Sequence, residues 1–164
     1  MFLPTAEDLD RIFQVANLFV LPFWALMVLV PNWSVTQRVM QSYVPFAALA
    51  SLYVYLFVTL DGSVLEAFSD PQLELSGLAG MFANSQVMAT GWVHFLVMDL
   101  FVGRWIYLQG QANGIFTRHS LALCLFAGPL GLLTHFFTNA ITQRFFRPTS
   151  ANGPSEIPSE TGAV

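Results

Sequence analysis

The chain has 164 residues, of which 55% are hydrophobic, 15% aromatic and only 10% charged, with a formal net charge of −4. A soluble domain carries about 25% charged residues, so this composition points to a protein embedded in lipid. The basic residues are all arginines, and without lysine there is no polybasic surface of the kind nucleic acid needs, which excludes nucleic acid as a partner.

The amino terminus, MFLPTAEDLDR, is acidic and lacks the basic region of a secretory signal, so no cleaved presequence is expected. Four apolar runs follow that approach the roughly 20 residues needed to cross a core of about 30 Å. They cover about 12–30, 44–60, 87–108 and 120–141. The first contains Pro22, which removes a backbone donor and predicts a kink with Asn17 one turn before it. It ends at Pro31-Asn32-Trp33, where the indole suits the headgroup level. The second carries Pro45 near its start, tolerated there, and a cluster of Ala47, Ala48, Ala50 and Ser51 that would let another helix approach closely.

Residues 61–84, DGSVLEAFSDPQLELSGLAGMFAN, are too interrupted to span and too apolar for a free linker. Ser69-Asp70-Pro71 reads as a helix start, which predicts a short helix at the interface, with an ordered surface loop as the alternative. The fourth run is broken by Gly128-Pro129-Leu130-Gly131, so its second half should bend away and release a backbone carbonyl that must find a partner. His135 and Asn139 stand one turn apart in that half, and the lone Cys124 reads as a small buried residue. Beyond Arg147 the chain is Pro, Ser, Gly and Glu with little to bury, so 148–164 should be a disordered tail. The expectation is an all-α integral membrane protein: a four-helix transmembrane bundle over 1–147 with a short interfacial helix between spans 2 and 3.

Four crossings would put both termini and the 61–84 segment on one side. Arginines then divide almost evenly, Arg11, Arg144 and Arg147 against Arg38 and Arg118, and the positive-inside rule does not choose an orientation. The acids on the terminal side lean towards a non-cytoplasmic placement, though acids count for little in that rule.

The third run, TGWVHFLVMDLFVGRWIYLQ, holds His94, Asp99 and Arg104 at intervals of five. At about 100° per residue these point in three directions separated by about 140°, so they form no stripe. Asp99 shares a face with Trp92, and His94 with Thr90, Met98 and Phe101. A carboxylate near the midplane costs about 2.5 to 3.5 kcal/mol even on the lenient insertion scale, so Asp99 must pair, take a proton or face water. The structural reading gives it a hydrogen bond to Asn17, Ser51, His135 or Asn139; the functional reading makes it an acid that donates to a substrate oxygen. His94 could bond a carbonyl, act as a base or ligate a metal. Arg104 lies towards the far side, where it could snorkel outward beside Trp105 and Tyr107, or meet an anion within the bundle. His119 reads as interfacial. A helix polar in three directions should sit centrally among the spans. There is no phosphate-cradling loop, CxxC, HExxH or nucleophile elbow, and two histidines on different helices are thin support for a haem or chlorophyll.

The block Gly91-Trp92-Val93-His94 followed by Asp99-Leu100-Phe101-Val102-Gly103-Arg104-Trp105-Ile106 resembles the signature of the ABA-deficient-four family, small membrane proteins associated with neoxanthin synthesis in plants. LPFWALMVLVP and LCLFAGPLGLL are similar to that family's proline-containing helices, and the likeness runs from about Ile12 to Arg147. Phe95 departs from the pattern, in which an aromatic with a hydroxyl commonly follows the histidine. The resemblance implies a thylakoid or plasma membrane of a photosynthetic bacterium, or a plastid membrane, and a reaction in which the epoxide violaxanthin isomerises to the allene neoxanthin with no redox cofactor and no metal. It implies an acid and a base, for which Asp99, His94 and His135 are the candidates. Trp92, Arg104, Trp105 and Asn139 are the candidate substrate contacts. The expected ligand is a carotenoid or other apolar lipid in a long groove rimmed by Trp and Phe, with room for a membrane-protein partner or a homo-oligomer. The alternative is a non-catalytic membrane subunit that binds a carotenoid or stabilises a pigment complex.

Overall fold

The computed structural model describes residues 3–146; the tail expected at 148–164 lies outside them. Among the described residues there are eight α-helices and no strand: α1 (Ala6–Leu29), α2 (Ser34–Gln41), α3 (Val44–Val58), α4 (Gly62–Phe68), α5 (Leu75–Phe82), α6 (Ser85–Asn113), α7 (Arg118–Phe126) and α8 (Gly128–Phe146). Two of them, α1 and α6, are each long and apolar enough to cross a membrane. The bent pair α2 and α3, angled by 42°, adds a third if it counts as one span.

The third run becomes α6, 29 residues long and at the centre of the molecule, with α1, α3, α5, α7 and α8 all packed on it. At about 1.5 Å per residue it is about 43 Å long, more than the hydrocarbon core needs. Asn84 caps its start by accepting from the Gln86 and Val87 N–H groups. Gly114, at φ 64°, ends it in the left-handed conformation that glycine adopts without a Cβ penalty.

Cross-helix pairs give the directions of the other elements. Asn17 of α1 meets Trp92, Trp24 lies on Gly103, and Pro31 receives the Tyr107 hydroxyl at 2.7 Å, so α1 runs parallel to α6. Phe46 packs on Phe101, Tyr53 on His94, and Thr59 accepts from Gln86 at 3.0 Å, so α3 runs antiparallel. One end of the bundle therefore holds the start of α1, helices α4 and α5 and the start of α6. It carries Glu7, Asp8, Asp10, Asp61, Glu66, Asp70 and Glu74, and is called here the acidic end. The opposite, arginine end holds α2 with Arg38, the end of α6 and Arg118 at the start of α7.

The fourth run folds into two antiparallel helices, neither of them among the helices long and apolar enough to cross. The His119 imidazole and the Thr138 hydroxyl are 2.8 Å apart, although in one straight helix they would be separated by about 28 Å. Helix α7 enters from the arginine end and reaches Asp99 after nine residues, about 13 Å. The chain then reverses at Ala127, and α8 returns beside α7 to the arginine end with Arg144. The expected bend is thus a complete reversal, and the two ends of the described chain lie at opposite ends of the bundle, not on one side as four crossings would place them. Gly131 makes the reversal tight: a Cβ there would meet the backbone of Cys124. Cys124 is buried, as expected.

Residues 61–84 form two helices rather than one. Asp61 caps α4, and hydrogen bonds from the Ser63 hydroxyl and N–H hold its exposed carboxyl below the usual carboxylate range. Ser69-Asp70-Pro71, expected to open a helix, instead lies in the turn after α4, where the Asp70 carboxylate accepts from the Gln72 N–H. The same polar residue types serve caps and turns equally, which is why the sequence pattern misplaced the boundary. Helix α2 was not foreseen either, and α1 continues through Pro22 without a break.

Large apolar side chains face outward along the whole length, Leu18, Leu29, Val44 and Phe137 among them, as a lipid-facing exterior requires. The core divides in two. A larger cluster at the arginine half joins Trp24, Met27, Met40, Phe46 and Leu100 with Leu121 and Cys124 of α7, and a smaller one at the acidic half joins Leu9, Ala16, Leu56, Ala89 and Val93. Gly131→Ala should lower unfolding stability in detergent by about 1–3 kcal/mol through overpacking. Gly80→Ala, whose Cβ would meet open space, should leave stability unchanged or slightly raised; equal effects from the two would count against the tight hairpin.

Candidate functional site

Because α7 and α8 occupy only the arginine half, the acidic half of α6 is left uncovered on the side where a fourth crossing would have packed. Two adjoining cavities of about 590 and 580 Å³ lie there. They share Trp92, Leu96, Asp99 and Leu125, so Asp99 stands at their junction. The first is walled by α1 through Phe13, Asn17, Leu18 and Trp24. The second is walled by the hairpin tip through Phe126, Ala127, Gly128 and Pro129, and it contains His94 as well as Asp99. Both are overwhelmingly apolar with a few convergent polar groups, the usual makeup of a small-molecule site.

Asp99 is the middle residue of α6, and its carboxylate lies against the backbone of Gly128 at the start of α8, whose N–H faces it. The first N–H groups of a helix have no partner within it, and the helix dipole places partial positive charge there. The broken fourth run was expected to free a carbonyl. The group it delivers to α6 is instead an N–H, while the Ala127 carbonyl is taken up by Leu130 and Gly131. None of Asn17, Ser51, His135 and Asn139 is the partner. Asn17 receives the Trp92 indole N–H at 3.1 Å and donates to the Phe13 carbonyl; Asn139 accepts from Gln143. Oδ1 is the carboxylate oxygen nearest Gly128.

His94 projects from the same helix about 7.5 Å nearer the acidic end. Its ring is flanked by Tyr53 and Phe95, with centroids 5.5 and 6.2 Å away. No hydrogen bond to its ring nitrogens is found among the described residues. It also opens onto a third apolar cavity of about 420 Å³ beneath α4 and α5, lined by Tyr53, Phe57, Phe68 and Phe82. The angular separation of His94 and Asp99 on the helix does not prevent both from lining one cavity, because the uncovered face of α6 is broad.

The remaining sequence candidates lie elsewhere. His135 is fully buried in α8, where it pairs with Gln109 and meets the edge of Trp105. Trp105 also contacts Phe136. His135, Trp105, Asn139 and Arg104 all belong to the arginine half, and none lines the two cavities at Asp99.

Arg104 does not snorkel. It is only 9% exposed, its Nε donates to the Met40 carbonyl at 2.6 Å, and its guanidinium lies 4.6 Å from the Tyr43 ring centroid and 5.6 Å from that of Phe46. It thus ties the end of α2 and the start of α3 to α6. Tyr107, expected at the interface, is likewise fully buried. Periodicity within α6 could not reveal these partners, because both lie in the unforeseen α2–α3 connection and the Pro31 turn.

Gly128→Ala would push a Cβ into the Asp99 carboxylate. It should therefore unseat the hairpin tip and destabilise the protein by about 1–3 kcal/mol, measured as denaturant unfolding in detergent; an unchanged midpoint would refute the contact. Arg104→Met, leaving the Met40 carbonyl unpaired, should cost about 1–3 kcal/mol in the same measurement, whereas a snorkelling arginine would tolerate the change.

The model of the ABA DEFICIENT 4-like family matches residues 11–135, which include most of α1, all of α3 and α6, and the hairpin tip. Protein ABA DEFICIENT 4, chloroplastic, of Arabidopsis thaliana is 40% identical over 150 residues, spanning 89% of this chain and 68% of that protein. No solved structure is significantly similar to the chain. The matched segment carries Trp92, His94, Asp99 and Gly128 together, and the chain belongs to the ABA DEFICIENT 4-like family.

Proposed function

We propose that this is a membrane protein of carotenoid metabolism that isomerises a xanthophyll epoxide to an allene, as in the conversion of violaxanthin to neoxanthin. The observation that supports this reading most is the presence of Asp99 and His94 in one apolar cavity within the membrane-spanning part. A relative described as chloroplastic fits a plastid membrane, or the corresponding photosynthetic membrane of a bacterium.

In this mechanism Asp99 begins protonated and His94 neutral. The Gly128 N–H holds one Asp99 oxygen, and the other donates its proton to the epoxide oxygen as the C–O bond opens. His94 takes the proton from the adjacent polyene carbon. The electron pair of that C–H bond becomes the new double bond of the allene, and the epoxide oxygen becomes a hydroxyl. Atoms and electrons balance without an oxidant or reductant. The net result moves one proton from carbon to oxygen, and transfer from imidazolium back to carboxylate resets the site. Trp92, hydrogen-bonded to Asn17, forms the wall between the two cavities, and Phe95, Phe126 and Leu132 give the polyene an apolar bed. A fourth crossing is not required by this arrangement; the uncovered half-bundle is what admits a long ligand.

Asp99→Asn keeps an oxygen for the Gly128 N–H but has no acidic proton to transfer. It should lower conversion of violaxanthin in lipid nanodiscs by about 10²–10⁴-fold while pigment retention and unfolding stability persist, with product read by chromatography. His94→Phe should behave alike. Wild-type protein that retains the pigment but produces no allene would replace the isomerase with the non-catalytic carotenoid-binding reading.

A further inference from the structure

The reversal of α7 and α8 changes the charge arithmetic of the chain. With three crossings and a hairpin that re-enters from the arginine end, Arg38, Arg118 and Arg144 all emerge at one face of the membrane, with Arg104 buried just beneath it. At the other face the one described arginine is Arg11, which is paired at 2.5 Å with Glu7. Every described carboxylate except Asp99 lies at that second face. Among the described residues, the split of Arg11 and Arg144 against Arg38 and Arg118 under four crossings thus becomes three to one in segments adjacent to the membrane, which is where the positive-inside bias acts.

We propose that the arginine end lies on the side from which the chain is inserted, and that the cavities at Asp99 open sideways into the opposite leaflet. The hairpin closes the bundle beside Asp99 on the arginine side, and α1 and the exposed face of α6 leave it open on the acidic side. A ligand reaches the carboxylate from the distal leaflet and meets the hairpin tip as a floor. Which molecule enters rests on the function proposed above; the orientation does not, since it follows from helix direction and arginine placement.

The test uses the full chain with single cysteines introduced by Gln37→Cys in α2, Gln72→Cys between α4 and α5, and Gln143→Cys near the end of α8. All three positions are exposed, and the unsubstituted chain, whose Cys124 is buried, serves as the blank. A membrane-impermeant maleimide is applied to spheroplasts of a bacterial host and to inverted vesicles from the same cells. Gln72→Cys should label at least tenfold more strongly in spheroplasts, and Gln37→Cys and Gln143→Cys at least tenfold more strongly in inverted vesicles. Labelling of Gln143→Cys on the same side as Gln72→Cys would overturn the re-entrant hairpin. Labelling of Gln37→Cys in spheroplasts would overturn the orientation, and labelling of Gln72→Cys from both sides or neither would overturn a single fixed placement. No substrate is involved, so failure here is separate from failure of the isomerase assay.

Discussion

A carboxylate at the middle of a helix long and apolar enough to cross a membrane needs a polar partner, and in this protein the group that faces it is the first N–H of α8. That contact joins two features that are each costly alone in lipid. A helix end needs its N–H groups satisfied, and an isolated Asp needs compensation. By meeting at Gly128 they make the hairpin turn tolerable at mid-depth and leave Asp99 half engaged. A glycine is required because the carboxylate occupies the space a Cβ would take.

The hairpin's short reach shapes everything around the site. With α7 only nine residues long, the fourth run fills half of the bundle and leaves one side of the other half of α6 uncovered. The larger core cluster, with buried Trp24, Met27, Met40 and Leu121, accordingly lies on the filled side, together with the Arg104 and Tyr107 hydrogen bonds to the backbone of Met40 and Pro31. Buried packing is concentrated at the arginine end, and accessible apolar space at the acidic end. The proposed function, in which a long molecule enters sideways and meets a carboxylate held in place, is served by that division.

The three ionisable residues of α6 follow different physical solutions. Arg104 is satisfied by a carbonyl and two aromatic faces, which suits a planar, weakly hydrated guanidinium. Asp99 is satisfied in part by a helix terminus. His94 is braced by aromatic rings with its nitrogens left open, and this difference separates the two residues at the cavity from the one that holds the bundle together.

Much was legible in the residues themselves. Composition and run lengths pointed to an all-helical chain with helices apolar enough to cross a membrane, and hydrophobic continuity located α1, α3 and α6, because lipid demands long apolar helices wherever the chain crosses. The ionisable residues within α6 required that this helix be central, since three polar directions cannot all face lipid. The Gly-Pro-Leu-Gly break announced a bend in the fourth run. The angle of that bend, the opposite placement of the two ends of the described chain, the partner of Asp99 and the burial of Arg104 were decided only by tertiary packing. Each depends on which helix lies alongside which, and a one-dimensional hydrophobic pattern is the same for a helix that crosses and for a pair that turns back at half depth.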